Sequence, residues 1–191
     1  VSVCDESHLR AALAGGGTVT FACSGTITLT AEITITTDTT IDGSGQAVTI
    51  SGNNAVRVFT VNSGVTLNLS RLTVANGNAS GDGGGIYNGG TLTVSNSTFS
   101  GNRASYGGGI LTWGTLTMSN NRYYKTGGTA VYWWEPTGQY TLNLAGWKTS
   151  SGTDTNSTEG DPQVGSDWHL LGTSPCIGAA MTIAGFTDDY D

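Results

Sequence analysis

Gly84-Gly85-Ile86-Tyr87-Asn88-Gly89-Gly90-Thr91-Leu92-Thr93-Val94-Ser95-Asn96-Ser97-Thr98-Phe99-Ser100-Gly101-Asn102 is about one coil of a β-solenoid. The chain restates it at once, as Gly108-Gly109-Ile110 and then Gly114-Thr115-Leu116-Thr117-Met118-Ser119-Asn120. Ile86 to Ile110 and Leu92 to Leu116 are both 24 positions. A fainter copy lies upstream, where Leu67, Leu69, Leu72 and Val74 precede Leu92, Val94, Ser97 and Phe99 by 25. Downstream, Thr141-Leu142-Asn143-Leu144 follows Thr115 to Met118 by 26. A period in the twenties means one supersecondary unit stacked on copies of itself.

Within a unit, short strands alternate. Thr26 to Thr30, Ile33 to Ile35, Thr91 to Val94 and Thr115 to Met118 put apolar residues on one face and Thr on the other. That is period two, on residues suited to a half-buried strand. Gly and Asn between the strands supply left-handed bends. A coil of about 24 residues with three short strands predicts an all-β fold: a single-stranded parallel β-helix. A leucine-rich repeat would need an LxxLxL frame that the chain lacks. A β-sandwich is the second choice, weakened by the in-register repeat.

The chain has 191 residues, 30 Gly, 3 Pro and 11% charged residues, enough for one domain with a sizeable core. Residues 1–25 are expected to cap the start, 26–144 to form the coils, and 145–191 to form an irregular C-terminal cap. Asp5-Glu6-Ser7 opens a short amphipathic helix through Leu9 and Leu13 that Gly15-Gly16-Gly17 stops. Leu9 and Leu13 are expected to plug the first coil, since solenoid ends must be covered. No window is long and apolar enough to span a membrane. No apolar h-region opens the chain, as expected of a mature or expressed form.

Cys4 and Cys23 flank the helix, and a bridge between them would pin it over the first coil. Two buried free thiols are the alternative. Cys176 reads as a buried structural cysteine. Net charge is −7, and no Lys or Arg follows Lys148, so nucleic acid is not an expected partner. No cofactor is expected, with calcium left open. Asp188, Asp189 and Asp191 could hold a cation, against the simpler reading of a solvated tail.

The Gly-Gly-x-Ile runs ending at Ile86 and Ile110, with Phe99-Ser100-Gly101-Asn102, resemble the GGxI and FxxN repeats of the polymorphic outer-membrane proteins. The chain looks still more like the bacterial secreted right-handed parallel β-helix repeat proteins. The opening Cys4 to Leu13, Gly15 to Phe21 and Thr40 to Gly45 are similar to theirs. So is the closing part: Trp147, Ser151 to Ser157, Asp161-Pro162, Asp167 to Leu170 and Ser174 to Gly178, as in choice-of-anchor β-helix proteins. The resemblance implies a secreted or cell-surface module. It implies no single function, because the architecture serves lyases, hydrolases, adhesins and binding modules alike. In that group the closing segment runs on to an anchor, so the stop at Asp191 is expected to mark a truncation or a piece of a longer protein.

The pattern breaks between Arg122 and Lys148, where Tyr123-Tyr124-Lys125, Tyr132-Trp133-Trp134-Glu135-Pro136, Tyr140 and Trp147 replace a plain repeat. Trp113, Tyr132, Trp133, Trp134 and Tyr140 are the candidate ligand-binding residues. A sugar ring needs a flat apolar face and nearby hydrogen-bonding groups. The same rings could instead pack under the C-terminal cap, the role expected of Trp147 and Trp168. Catalysis would draw on Glu135, Lys125, Arg122 and Asp82. Glycoside hydrolysis, however, needs two acids across the scissile bond, and Asp82 and Glu135 fall on opposite sides of their strands. Asp38 and Asp42 precede them; Arg103, Arg122 and Lys125 could form a basic strip near Glu135, against the simpler reading of spaced surface charges, and His8 and His169 read as structural.

The Thr-x-Thr arrays resemble those of ice-binding solenoids, although Thr is also an ordinary outward strand residue, and Asn68 and Asn143 interrupt them. The sequons at Asn68, Asn78, Asn96 and Asn156 are expected by chance in this composition. Asn96 and Asn120 are expected to stack inside a bend and satisfy backbone groups.

The function expected is that of an extracellular, non-catalytic, adhesion-type module binding polysaccharide or surface glycan, without membrane insertion. The alternatives are a polysaccharide lyase or glycoside hydrolase of the pectin-lyase-like superfamily, and a self-assembling structural subunit.

Overall fold

The computed structural model describes residues 1–124, 131–135, 138–140 and 158–159, the last three stretches as backbone. After helix α1 (Glu6–Leu13), the chain winds through coils of three strands. The first coil is β1 (Gly17–Thr20), β2 (Gly25–Thr28) and β3 (Ile33–Ile35). The second is β4 (Thr39–Asp42), β5 (Val48–Ser51) and β6 (Phe59–Val61). The third is β7 (Thr66–Ser70), β8 (Thr73–Ala75) and β9 (Ile86–Asn88). The fourth is β10 (Thr91–Ser95), β11 (Thr98–Ser100) and β12 (Ile110–Thr112). The fifth is β13 (Thr115–Ser119), β14 (Arg122–Tyr124) and β15 (Val131–Glu135). Two strands follow, β16 (Gly138–Tyr140) and β17 (Thr158–Glu159).

Strands of one rank stack into one sheet: β1-β4-β7-β10-β13, β2-β5-β8-β11-β14-β17 and β3-β6-β9-β12-β15-β16. Every pairing is parallel except β15 with β16. This is a parallel β-solenoid, and its register is the repeat read from the sequence: Leu67, Leu92 and Leu116 align, as do Ile86 and Ile110. The stack already starts at Gly17, inside the segment 1–25 read as cap.

The inward residues form columns because side chains alternate along each strand. Val19, Ile41, Leu69, Val94 and Met118 make the column of the first sheet. Ile27, Ile50, Val74, Phe99 and Tyr123 make that of the second, where Phe99 and Tyr123 stack at 5.2 Å. All ten are buried. At about 25 cal/mol per Å² of apolar surface, these columns are the main stabilising term.

One column of the third sheet changes chemistry partway. Ile35 and Val61 are followed by Asn88 and Thr112, both fully buried. Asn88 Nδ2 donates to Thr112 Oγ1 at 2.9 Å and to the Thr115 carbonyl at 3.0 Å, while its Oδ1 accepts the Gly90 amide at 3.1 Å. Asn88 and Thr112 thus each meet partners in their own turn or in the neighbouring coil.

Asn96 and Asn120 do not form the expected internal stack. Both take left-handed backbone (φ 50° and 55°), and Asn96 is exposed. The left-handed bend turns the following residue inward instead. Ser97 and Asn121 are buried there, and Asn121 accepts the Ser97 amide at 2.9 Å and donates to the Val94 carbonyl at 2.9 Å.

The motif residues of the resemblance are structural. Gly84, Gly85 and Ile86 donate their amides to Gly107, Gly108 and Gly109 of the next coil. A Cβ on Gly84 would lie 2.7 Å from the Gly108 carbonyl oxygen, so this close approach needs glycine. Asn102 ties the same turn, accepting the Gly77 amide at 2.8 Å and donating to the Val74 carbonyl at 2.9 Å.

The lower end is capped. Asp5 caps α1 by accepting the His8 amide at 2.8 Å. Leu9 is fully buried, and Leu13 packs partly against the core. Cys4 and Cys23 are bridged, with Cα atoms 5.7 Å apart. Glu6 accepts the Thr30 amide at 3.0 Å and its hydroxyl at 2.8 Å. The described helix is too short to cross a membrane.

Candidate functional site

The outward residues of the third sheet change character up the stack. In register they are Thr34, Thr60, Tyr87, Leu111 and Tyr132. The first two are hydroxyls of an ordinary solvated strand. Tyr87 is half-buried, with the Arg57 guanidinium 5.3 Å from its ring centroid. Leu111 is only 1% exposed, although its neighbours Ile110 and Thr112 are the ones that point inward. From the third coil upward this face is therefore built from large side chains.

Aromatic residues bracket it. Tyr106 lies in the long turn before β12, four residues ahead of Ile110, and is 51% exposed; Trp113 directly follows β12 and is 47% exposed. Backbone bonds hold both in place: Gly83 donates to the Tyr106 carbonyl at 2.9 Å, and the Trp113 amide donates to the Asn88 carbonyl at 2.8 Å. The coil above continues the set. Tyr132 and Trp133 pair with Leu111 and Thr112, so Trp134 follows Trp133 as Trp113 follows Thr112. Tyr140 pairs with Trp133 across the β15–β16 hairpin. By register Tyr132 stands above outward Leu111 and Trp134 above Trp113, whereas Trp133 and its hairpin partner Tyr140 fall in the row of inward Thr112. The side chains of Tyr132, Trp133, Trp134 and Tyr140 lie outside the described residues.

Tyr87 and Tyr106 belong to the same flank but do not stand out in the sequence. A signal for Tyr87 exists: it follows Ile86 as Leu111 follows Ile110 and Tyr132 follows Val131.

Arg57 organises the near side of this flank. Its Nε donates to the Gly83 carbonyl and Nη2 to the Asp82 carbonyl, both at 2.9 Å. Its Nη1 donates to Glu32 Oε2 at 2.9 Å and to Thr60 Oγ1 at 3.0 Å. One guanidinium so locks turns of three coils beneath the Tyr87 ring.

The catalytic candidates do not gather by register. Asp82 lies in the turn that enters the third sheet, in a bridge with Tyr106. Glu135 lies at the leaving end of β15, two residues past the partner of Thr112. Arg122 is exposed in β14 of the second sheet. Lys125 lies outside the described residues, as do Trp147, Trp168, His169, Cys176 and the acids at 188–191. Among the described residues no group of three or more His, Cys, Asp or Glu is placed to hold a metal ion.

The remaining acids act locally. Asp38 accepts the Thr66 amide at 2.8 Å. Asp42, on the outer face of the first sheet, accepts the Ser44 and Ser70 hydroxyls at 2.6 and 2.8 Å. Those bonds hold its carboxyl below the usual range, outweighing partial burial. Asp5 is lowered to about 2, first by the His8 amide and then by the His8 ring and Ser7. Burial alone would raise Glu6, but hydrogen bonds from Thr30 and Arg10 outweigh it and leave its carboxyl lowered.

Chemically, the flank offers exposed aromatic faces beside a fixed arginine and backbone-rich turns. It suits holding a ligand with a flat apolar face and polar edges. No protein-family model, no curated protein and no solved structure matches this chain.

Proposed function

We propose that this chain is a non-catalytic extracellular module that binds polysaccharide or a surface glycan along the upper flank of its third sheet. The right-handed helix of the bacterial secreted repeat proteins is part of this reading. So is display outside the cell, with which the Cys4–Cys23 bridge agrees. One observation carries the proposal: the fourth coil exposes two aromatic rings around β12, Tyr106 four residues before the strand at 51% and Trp113 directly after it at 47%. Large exposed aromatics otherwise cost solubility, and a carbohydrate ring stacks its C–H face on them while its hydroxyls stay hydrogen-bonded. Tyr132 and Trp134, one coil above Leu111 and Trp113, extend the platform by register.

The test incubates the purified chain with soluble and insoluble plant and microbial polysaccharides, recording depletion of protein and released sugar or unsaturated product. Depletion without product is expected. Trp113→Ala and Tyr106→Ala should each weaken retention about tenfold, the equivalent of about 1.4 kcal/mol, while Thr117→Ala should not. Product release that disappears in Glu135→Gln would replace this reading with a lyase or hydrolase. Neither retention nor product, with concentration-dependent assembly, would make the chain a structural subunit.

A further inference from the structure

On the side where the chain passes from the second sheet to the third, the turns lengthen up the stack. They are residues 29–32, 52–58 and 76–85 in the first three coils. Their stepped edges enclose a groove of about 570 Å³. Its floor has a repeat of its own: Ala31, Ala55 and Ala79 line it, 24 residues apart, one methyl group per coil.

The rim is polar. Glu32 lines the groove with 42% of its side chain exposed, while its Oε2 is fixed by Arg57. Arg57 has no freedom to leave, since Gly83, Asp82, Thr60 and the Tyr87 ring hold it as well. Asn78 and Ser80 face Glu32 across the floor from the third coil. Both are anchored through other atoms: Asn78 Nδ2 donates to the Asn54 carbonyl at 2.9 Å, and the Ser80 carbonyl accepts from Ser105 at 2.8 Å.

We propose that this groove is a second carbohydrate subsite, separate from the aromatic flank, that takes one or two neutral pyranose rings. The volume falls within the range of small-molecule sites, which pair an apolar lining with a few placed polar groups. A pyranose can lay its C–H face on the methyl floor while its edge hydroxyls donate to the Glu32 carboxylate and meet Asn78 and Ser80. A carboxylate acceptor held in place by a buttressed arginine loses little entropy on binding. Charge selects within the sugars. Glu32 repels a uronate, the Arg57 guanidinium is already engaged, and the chain's net charge of −7 adds to the repulsion.

The inference rests on the glycan-binding reading for its ligand class but not for its location, and one experiment separates the two. The ¹⁵N-labelled full chain is titrated with cellotriose, xylotriose and mannotriose, and with trigalacturonate as the charged comparator. At least one neutral trisaccharide should shift the amides of Ala31, Ala55 and Ala79 saturably, and trigalacturonate should not. Trp113→Ala should leave those shifts intact. Ala79→Phe, which fills the groove, should weaken them tenfold or more, and Ala55→Phe, at an exposed position, provides the same block if the first variant does not fold. Silence at the three alanines with every neutral sugar, or equal shifts with trigalacturonate, overturns the subsite. Retention on insoluble polysaccharide that depends on Trp113 while the groove stays silent would leave only the aromatic flank standing. Groove shifts without such retention would leave only the subsite.

Discussion

The first and third sheets share one construction and present different outer faces. Both stack parallel strands over an apolar column. Outward, the first sheet reads Thr18, Thr40, Asn68, Thr93 and Thr117, polar from bottom to top. The third reads Thr34, Thr60, Tyr87, Leu111 and Tyr132, polar below and bulky above. The fold needs only the inward half of each strand. The outward half is free to vary, and it varies on one sheet, in the coils that also carry Tyr106 and Trp113. A solenoid can in this way place a binding flank without disturbing its core.

The largest expected effect tests whether Leu111 is truly unlike the outer residues of the first sheet. Leu111 is 1% exposed, so Leu111→Ala should destabilise like a core truncation, by about 2–4 kcal/mol. Thr117→Ala, on an exposed outer position, should stay within about 0.5 kcal/mol. Urea unfolding of both variants reads the contrast. Equal small losses would mean that Leu111 is merely covered, with no packing to lose.

The next effect concerns the lower, polar half of the stack. The bridge at sequence separation 19 closes a loop whose entropy cost in the unfolded chain is about 3 kcal/mol. Cys4→Ser with Cys23→Ser should lower the unfolding free energy by about that amount. Hydrogen exchange should speed first at Val19 and Ile27, under the cap, and last in the coils around Leu92. Uniform loosening would show that the stack unfolds as one unit rather than from its end.

A smaller effect comes from the bend between the first and second sheets. Arg71 has φ 54° where the coils above carry Asn96 and Asn120. A left-handed conformation costs an ordinary residue about 1 kcal/mol, less for Asn. Arg71 recovers some of this through Ser44 at 2.9 Å, but its side chain is 57% exposed. Arg71→Asn should therefore stabilise the protein by about 0.5 kcal/mol. A loss of stability would assign more to the Arg71–Ser44–Asp42 contact than its exposure suggests.

The sequence discloses the columns because a strict repeat of 24 places like residues side by side, as with Leu92 on Leu116 and Thr91 on Thr115. It also discloses the cap, through Leu9 and the two cysteines. The lower coils are harder to read: Thr40 to Asn68 is a step of 28 while Thr18 to Thr40 is 22, so unequal turns blur the period. The bends escape for another reason. Asn96 and Ser97 are both small and polar, and only the sign of φ decides which one turns inward. The site was legible where an aromatic interrupts the pattern, as at Trp113. It was not at Leu111, an ordinary strand leucine whose outward register shows only once the coils are stacked. Nor was it at Ala31, Ala55 and Ala79, whose spacing means nothing until their turns share a groove.

The smallest effect uses acid to separate the two faces. Among the described outward residues of the third-sheet column none is a carboxylate, whereas the first sheet carries Asp42 bonded to Ser44 and Ser70. A carboxyl held below its unfolded value of 3.8 adds stability that is fully present above that pH and fades as pH falls through the folded value. The Ser44 and Ser70 amide resonances should therefore hold steady down to about pH 4 and move below it, while that of Leu111, away from the Glu32–Arg57 pair, stays put. Asp42→Asn keeps an acceptor oxygen but removes the titrating group, so it should abolish the movement at little cost in Tm. Movement at Leu111 in the same acid range would mean that the faces are coupled through the core, and that a glycan bound on one would be felt on the other.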